Sequence, residues 1–216
     1  AATFVGNPLR DRVETPGDRA ARKAALGVDP ARPLLAVFPG SRPQEIRHMW
    51  PAFRDAARLV LRERPDAQAV VAATPEGEYP DAGELRLVRS RSELCLAAAD
   101  AGLLKSGTTT LEAALADTPM VIAYRVHPLS YLLARSLAKV PWVGLVNLVL
   151  GREVAPEFIQ ARVRPEPLAL AVLPLLQPGS DARERQLDGL REVRERVGGP
   201  GAADRAAALA VELLVP

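Results

Sequence analysis

The chain has few residues of the kinds that build disulfides, metal sites and base-stacking surfaces. Its 216 residues include one cysteine, Cys95, two histidines, and only 4% aromatic residues. Cys95 cannot form an internal disulfide, so we expect it to be buried as a small apolar side chain in a reducing compartment, the cytoplasm. The sequence contains no cluster of Cys and His residues of the kind that binds structural zinc, and we expect no bound metal or other cofactor.

Charge of one sign and long apolar runs are also scarce. The 28 lysines and arginines nearly balance the 26 acidic residues, for a net charge of +2. With few aromatics as well, nothing predicts nucleic acid as a partner. The apolar residues form no uncharged run of about 18 residues, and the N-terminal residues do not resemble a secretory signal. We therefore expect no transmembrane helix.

Strand-like and helical patterns do alternate along much of the chain. Strands are predicted at 34–38, 69–73, 85–88, 101–104, 120–124 and 142–146, with helices at 18–26, 44–63, 91–99, 108–116 and 128–138. Beyond Gly151 the strand pattern ends, and helices are predicted at 155–161, 165–176, 181–197 and 201–214. This order predicts an α/β fold, a Rossmann-like parallel sheet of about six strands with helices on both faces and a helical C-terminal tail. We divide the chain into a lead-in (1–30), a ligand-binding domain (31–152) and the tail (153–216).

The segment Ser106–Glu112 follows an apolar strand pattern and opens a helical one. Small and hydroxylated residues there leave backbone N–H groups at a helix start, where an anion such as a diphosphate is favoured. Glu112, about one turn into the helix, can accept hydrogen bonds from sugar hydroxyls. The alternative is a simple helix cap with a capping-box glutamate.

A second candidate loop follows the strand pattern 34–38. Gly40 permits close backbone approach to a ligand, Arg42 offers a planar set of donors to phosphate oxygens, and Glu45 stands near a helix start. The alternative is an ordinary strand–helix turn with an exposed arginine. Because both loops follow strands of one predicted sheet, we expect them to meet in a crevice at its carboxyl edge.

The segment 125–146 combines apolar residues, a tryptophan and nearby cations. This composition suits peripheral contact with an anionic membrane surface. A crossover helix packed on the sheet explains the pattern equally well, because Arg and Lys also extend out of ordinary cores.

Taken together, several motifs resemble those of the lipid-A-disaccharide synthase family of GT-B glycosyltransferases. They are Phe4–Leu9, Phe38–Arg42 with Glu45, Ser106–Glu112, Pro119–Arg125, Val146–Glu153 and Pro156–Gln160. The chain departs from the family pattern at Lys105, where a small residue is usual. It departs again at Asn7, in place of a common histidine, and at Val146, in place of a proline.

The resemblance covers only the C-terminal, donor-binding half of such an enzyme. It implies transfer of 2,3-diacylglucosamine from UDP to 2,3-diacylglucosamine 1-phosphate in lipid A biosynthesis, with the catalytic base in the N-terminal half. It also implies that thirteen residues contact the UDP-sugar: Gly40, Ser41, Arg42, Glu45, Ser106, Gly107, Thr108, Thr109, Glu112, Arg125, Asn147, Arg152 and Gln160.

The implied partners are the UDP-diacylglucosamine donor, a lipid monosaccharide acceptor, the inner-membrane surface and a second copy that exchanges C-terminal segments. We expect the isolated chain to be inactive. The apolar tail residues would then need another surface: Phe158, Ile159, Leu168, Leu170, Val172, Leu173 and Leu176. Alternatives are another UDP-sugar enzyme, such as an epimerase or a peptidoglycan glycosyltransferase, and a stand-alone UDP-sugar-binding module.

Overall fold

A sheet of six parallel strands organises the chain. The computed structural model describes residues 2–12, 17–126 and 140–212. The strand order is β3-β2-β1-β4-β5-β6, and every pairing is parallel. The strands are β1 (Leu34–Phe38), β2 (Gln68–Ala73), β3 (Arg86–Arg89), β4 (Ala101–Lys105), β5 (Met120–Tyr124) and β6 (Glu157–Ile159). The chain reverses its direction of winding between β1 and β4, the point where open α/β sheets form a ligand crevice.

Helices cover both faces of this sheet. They are α1 (Leu9–Arg12), α2 (Arg19–Ala25), α3 (Pro43–Glu63), α4 (Ser92–Ala98), α5 (Thr109–Leu115), α6 (Leu145–Leu150), α7 (Pro165–Val172), α8 (Asp181–Arg196) and α9 (Ala202–Glu212). Short 3-10 helices span Gln160–Arg162 and Leu173–Leu176. No helix among the described residues is long and apolar enough to cross a membrane.

The two faces of β1 explain this layered arrangement. Leu35 and Val37 point into one apolar core, which α3 and α7 complete with Trp50, Phe53 and Leu168. Leu34, Ala36 and Phe38 point into a second core on the opposite face, which includes side chains of α4, α5 and α8. Because both faces are covered, all five residues of β1 are buried, as expected of a central parallel strand.

The predicted fold class is confirmed, but the sixth strand lies elsewhere. Residues 142–146, predicted as a strand, form a turn followed by the start of α6. The strand is Glu157–Ile159, inside a predicted helix at 155–161, and it pairs with the end of β5. A short apolar run such as 143–146 fits a buried helix as well as a strand, so periodicity could not separate the two. The tail is therefore not all helical, and the predicted helix 128–138 lies outside the described residues.

The apolar tail residues are largely covered within this chain. Leu168 and Val172 are fully buried and Leu176 is nearly so, in the core that they share with α3. Phe158 and Leu173 pack partly against the same core. The prediction that these residues need another surface is wrong, because α7 lies across α3 and closes that core. Leu170 does stay exposed, at 70%.

Candidate functional site

A cavity of 450 Å³ lies at the carboxyl ends of β1 to β4. Four connecting segments reach it, one after each of these strands. Its lining comprises Phe38, Gly40, Ser41, Arg42, Glu45, Ala72, Ala73, Thr74, Pro75, Ser90, Ser92, Lys105, Ser106, Gly107, Thr108, Thr109 and Glu112. The two candidate loops thus meet at the point where the chain reverses its winding, as predicted from the strand pattern.

The turn after β1 depends on a glycine. Gly40 has a φ of +128°, a conformation that residues with a side chain rarely adopt. A Cβ there would stand 2.6 Å from the Cβ of Glu45 and 2.9 Å from its Oε2. The close approach lets Oε2 accept a hydrogen bond from the Ser41 N–H at 3.0 Å, while Oε1 accepts one from Arg42 Nη1 at 3.0 Å. The Arg42 side chain stays 77% exposed at the cavity rim.

Glu45 also joins this turn to the end of β4. Its Oε1 lies 2.9 Å from Nζ of Lys105, 60 residues further along the chain, and both side chains are less than one-fifth exposed. Burial alone would raise the pKa of Glu45. Hydrogen bonds from Lys105 and the Ser41 N–H, with the Lys105 charge, outweigh burial and lower the pKa from 4.5 to about 2. Glu45 is therefore ionised at neutral pH and holds the two loops together.

This depressed pKa predicts how stability depends on pH. The ionised Glu45 stabilises the folded state above its unfolded pKa near 4.5, and this contribution is lost as the pH falls towards 2. Urea denaturation should show that the difference in unfolding free energy between the wild type and Glu45→Gln is constant above about pH 5 and shrinks by about pH 3. A difference that stays constant to about pH 3 would contradict the ion-pair assignment.

The turn after β4 is held by hydroxyl groups. Ser106 Oγ donates to the carbonyl of Val143 at 2.6 Å, and Thr110 Oγ1 donates to the carbonyl of Gly107 at 2.8 Å. The first N–H of this turn that donates within the turn is that of Thr110, which donates to the carbonyl of Gly107. The N–H groups at 107–109 precede it, and such groups at a helix start have no intrahelical acceptor. Glu112 lines the same cavity one turn along α5.

The far wall of the cavity was not predicted. Thr74 and Pro75 follow β2, and Ser90 and Ser92 follow β3. Arg89 fixes this wall by donating to the carbonyls of Thr74 and Pro75. The rule that found the first two loops, that carboxyl ends of parallel strands meet at one edge, also applies to β2 and β3 once the strand order places them beside β1.

Metal-binding and reactive groups are few in the part of the chain that the structure describes. Its ranges hold no group of three or more His, Cys, Asp or Glu side chains that could bind a metal ion. Cys95 is buried, as predicted, and burial raises the pKa of its thiol to about 11. The thiol is therefore protonated at neutral pH and is a poor nucleophile.

Comparison with known proteins assigns this arrangement to a family. The family model described as lipid-A-disaccharide synthetase matches residues 1–211. Lipid-A-disaccharide synthases are similar to the chain, with 43% identity for that of Anaeromyxobacter sp. (strain K) and 39% for that of Myxococcus xanthus. These alignments cover 96% and 100% of this chain.

The chain belongs to the lipid-A-disaccharide synthase family.

The chain spans a little over half the length of these family members. It covers 56% of the Anaeromyxobacter protein and 58% of the Myxococcus protein, and it corresponds to their C-terminal half.

Solved structures of other proteins share the fold of this chain. Anabaena Alr3699/HepE in complex with UDP-glucose matches 98% of the chain and 56% of that protein, with a TM-score of 0.60 and 13% identity. WaaG, a glycosyltransferase involved in lipopolysaccharide biosynthesis, matches 92% of the chain and 53% of that protein, with a TM-score of 0.51 and 16% identity. At these identities the likeness shows the fold alone.

Four of the site residues that the family resemblance implied do not line the cavity. Arg125 donates to the carbonyls of Gln160 and Val163, and the Gln160 side chain bonds to the backbone of Val126. Arg152 forms an exposed ion pair with Glu192 at 2.5 Å. Their contact with a donor stays a prediction, which the cavity does not support.

Asn147, the fourth of these residues, is fully buried. Its Nδ2 donates to Ala155 O and to Glu157 Oε1, both at 2.8 Å, while its Oδ1 accepts from the N–H groups of Val154 and Ala155. Glu157 in turn accepts from the N–H groups of Val143 and Gly144. Asn147 therefore fixes the 143–157 region from within, and its predicted contact with the donor likewise has no support from the cavity.

Proposed function

We propose that this chain is the donor-binding half of a lipid-A-disaccharide synthase and that its cavity binds the UDP part of UDP-2,3-diacylglucosamine. The observation that carries the proposal is the meeting of the Gly40–Arg42 turn and the 106–109 turn in one cavity at the switch point between β1 and β4. Family membership supplies the pathway, lipid A biosynthesis. The Anabaena protein with the same fold was solved with UDP-glucose, which is consistent with a nucleotide-sugar site.

The proposed reaction assigns a role to each of these residues. A hydroxyl of 2,3-diacylglucosamine 1-phosphate attacks C1 of the donor sugar, the bond from C1 to the diphosphate oxygen breaks, and the electron pair leaves with UDP. The hydroxyl proton passes to a base, which we place in the N-terminal half of the family's enzymes. The Arg42 guanidinium and the N–H groups at 107–109 stabilise the negative charge that develops on UDP. Glu112 accepts hydrogen bonds from the ribose hydroxyls.

Calorimetric titration with UDP tests this assignment. Arg42→Ala and Glu112→Ala should each weaken UDP binding by about 1–3 kcal/mol, the usual value of a hydrogen bond to a charged group. Arg191→Ala is a matched control, because Arg191 is exposed and pairs only with Asp188 among the contacts the structure describes for it. Unchanged affinity in both cavity variants would contradict the proposed site.

Three further parts of the proposal concern the activity of this chain alone, its oligomeric state and its contact with the membrane. We propose that the 216-residue chain binds UDP without transferring sugar, acts with a second copy as a homodimer, and works at the cytoplasmic face of the inner membrane. Turnover of UDP-diacylglucosamine by this chain alone would contradict the placement of the base. The membrane contact rests on the pattern at 125–146, and residues 127–139 of that segment lie outside the described residues.

A further inference from the structure

Lys105 occupies an unusual place in this cavity. It is the last residue of β4, where it pairs with Ala123 of β5, and its side chain is 17% exposed. Its Nζ lies 5.5 Å from the ring centroid of Tyr124 and 3.9 Å from where a Cβ on Gly107 would stand. The ammonium group therefore lies beside the backbone turn that we assign to the diphosphate.

Lys105 is one of three described residues that donate hydrogen bonds to the Glu45 carboxylate. Glu45 already accepts from the N–H of Ser41 and from the guanidinium of Arg42. An ammonium group carries three donors. Among the described residues, Nζ of Lys105 donates one hydrogen bond, to Glu45. Donor capacity is therefore left on a residue that lines the cavity.

Two cations and two carboxylates line the cavity. They are Arg42, Glu45, Lys105 and Glu112. Glu45 lies between the two cations, so this group of three carries a net charge of +1, while Glu112 lies a turn further along α5. Partial burial of the ammonium group strengthens its attraction for an anion in the cavity, while Glu45 offsets part of its charge and Arg42 leaves the group of three with the excess positive charge.

We propose that Lys105 is a ligand-contacting residue that selects nucleoside diphosphates over monophosphates. Glu45 holds the ammonium group beside Gly107, and the group donates there to the terminal phosphate of the bound nucleotide. This inference rests on the proposed UDP site and adds to it the contact that recognises the second phosphate. Lys105 thereby acts together with Arg42, from the opposite loop.

The test compares uridine, UMP and UDP by calorimetry on the wild type, Lys105→Met and Lys105→Gln. We expect both variants to lose at least about tenfold in UDP affinity, the effect of removing one charged hydrogen bond, and to keep the uridine affinity of the wild type. Both variants should fold, because Glu45 keeps its bonds from Ser41 and Arg42, and circular dichroism checks this. Lys105→Arg, which keeps the charge, should retain most of the preference for UDP.

Adding Glu45→Gln to each protein separates direct contact from loop positioning, because glutamine removes the charge of Glu45 but keeps an oxygen that accepts from the Lys105 ammonium group. If Lys105 touches phosphate, Lys105→Met still weakens UDP binding in the Glu45→Gln background. If it only orients Glu45, the effect disappears there, and the inference is overturned. Equal losses for uridine, UMP and UDP, or no loss, would also overturn it. Failure of the wild type to bind UDP would instead refute the proposed site itself.

Discussion

Replacing Gly40 with alanine is expected to remove most of the UDP affinity. The new Cβ would have to displace the Glu45 side chain, which the structure places 2.6 Å away, from a backbone with a φ of +128°. Moving Glu45 breaks its bonds to the Ser41 N–H, Arg42 and Lys105 together, so both loops of the proposed UDP site lose their positions. We expect binding to weaken by about 2 kcal/mol or more, roughly 30-fold, with about 1–3 kcal/mol of backbone strain appearing as lost stability.

Gly179→Ala is the matched control for this experiment. Gly179 also has a positive φ, +73°, but no atom lies within 4 Å of an added Cβ. It does not belong to the cavity lining, so this variant should show only a modest loss of stability and bind UDP like the wild type. Calorimetry and thermal denaturation measure the two effects separately. Wild-type UDP affinity in Gly40→Ala would show that the turn after β1 does not hold the ligand.

Asn147→Ala is expected to have the opposite profile, a large loss of stability with little change in UDP binding. The substitution removes the acceptor of the buried Ala155 N–H and of the half-buried Val154 N–H, and it removes the donor to the Ala155 carbonyl and the Glu157 carboxylate. Because each buried group left unsatisfied costs about 1–3 kcal/mol, we expect the free energy of unfolding to fall by about 3 kcal/mol or more. Urea denaturation measures this loss, and calorimetry measures UDP affinity below the unfolding transition.

Asn7→Ala provides the comparison for a less connected asparagine. Asn7 is half-buried, and its side chain accepts one bond, from the Leu9 N–H at 2.9 Å. Its replacement should cost about 1 kcal/mol or less. If Asn147→Ala instead weakens UDP binding strongly while the protein stays as stable as the wild type, Asn147 contacts the donor, and the internal role assigned to it here is incorrect.

Local pattern was sufficient to predict five of the six strands and one half of the cavity. Each of the two predicted loops is indicated by a signal contained within about ten residues. One signal is the buried strand 34–38 with the glycine after it, and the other is the strand 101–104 with the hydroxylated turn after it. Both turns line the cavity. The neighbouring turns after β2 and β3 carry weaker composition signals, a Thr-Pro and two serines. They are identified as site residues only once the strand order is known.

Contacts between distant residues account for what the sequence could not predict. The Lys105–Glu45 pair joins residues 60 positions apart, and nothing local indicates that the two side chains meet. The short strand Glu157–Ile159 forms because β5 offers an open edge, which its own three residues do not reveal. The position of Asn147 in a motif suggested donor contact, whereas its burial depends on the carbonyl of Ala155 and the carboxylate of Glu157.

A crystal structure of this chain with bound UDP would test the central claim most directly. We predict diphosphate oxygens within about 2.7–3.2 Å of Arg42 and of the N–H groups at 107–109, with the ribose hydroxyls at Glu112. UDP bound elsewhere would contradict the account, for instance in the 560 Å³ groove beside Arg152 and Gly189. So would an empty cavity at UDP concentrations that saturate binding in solution.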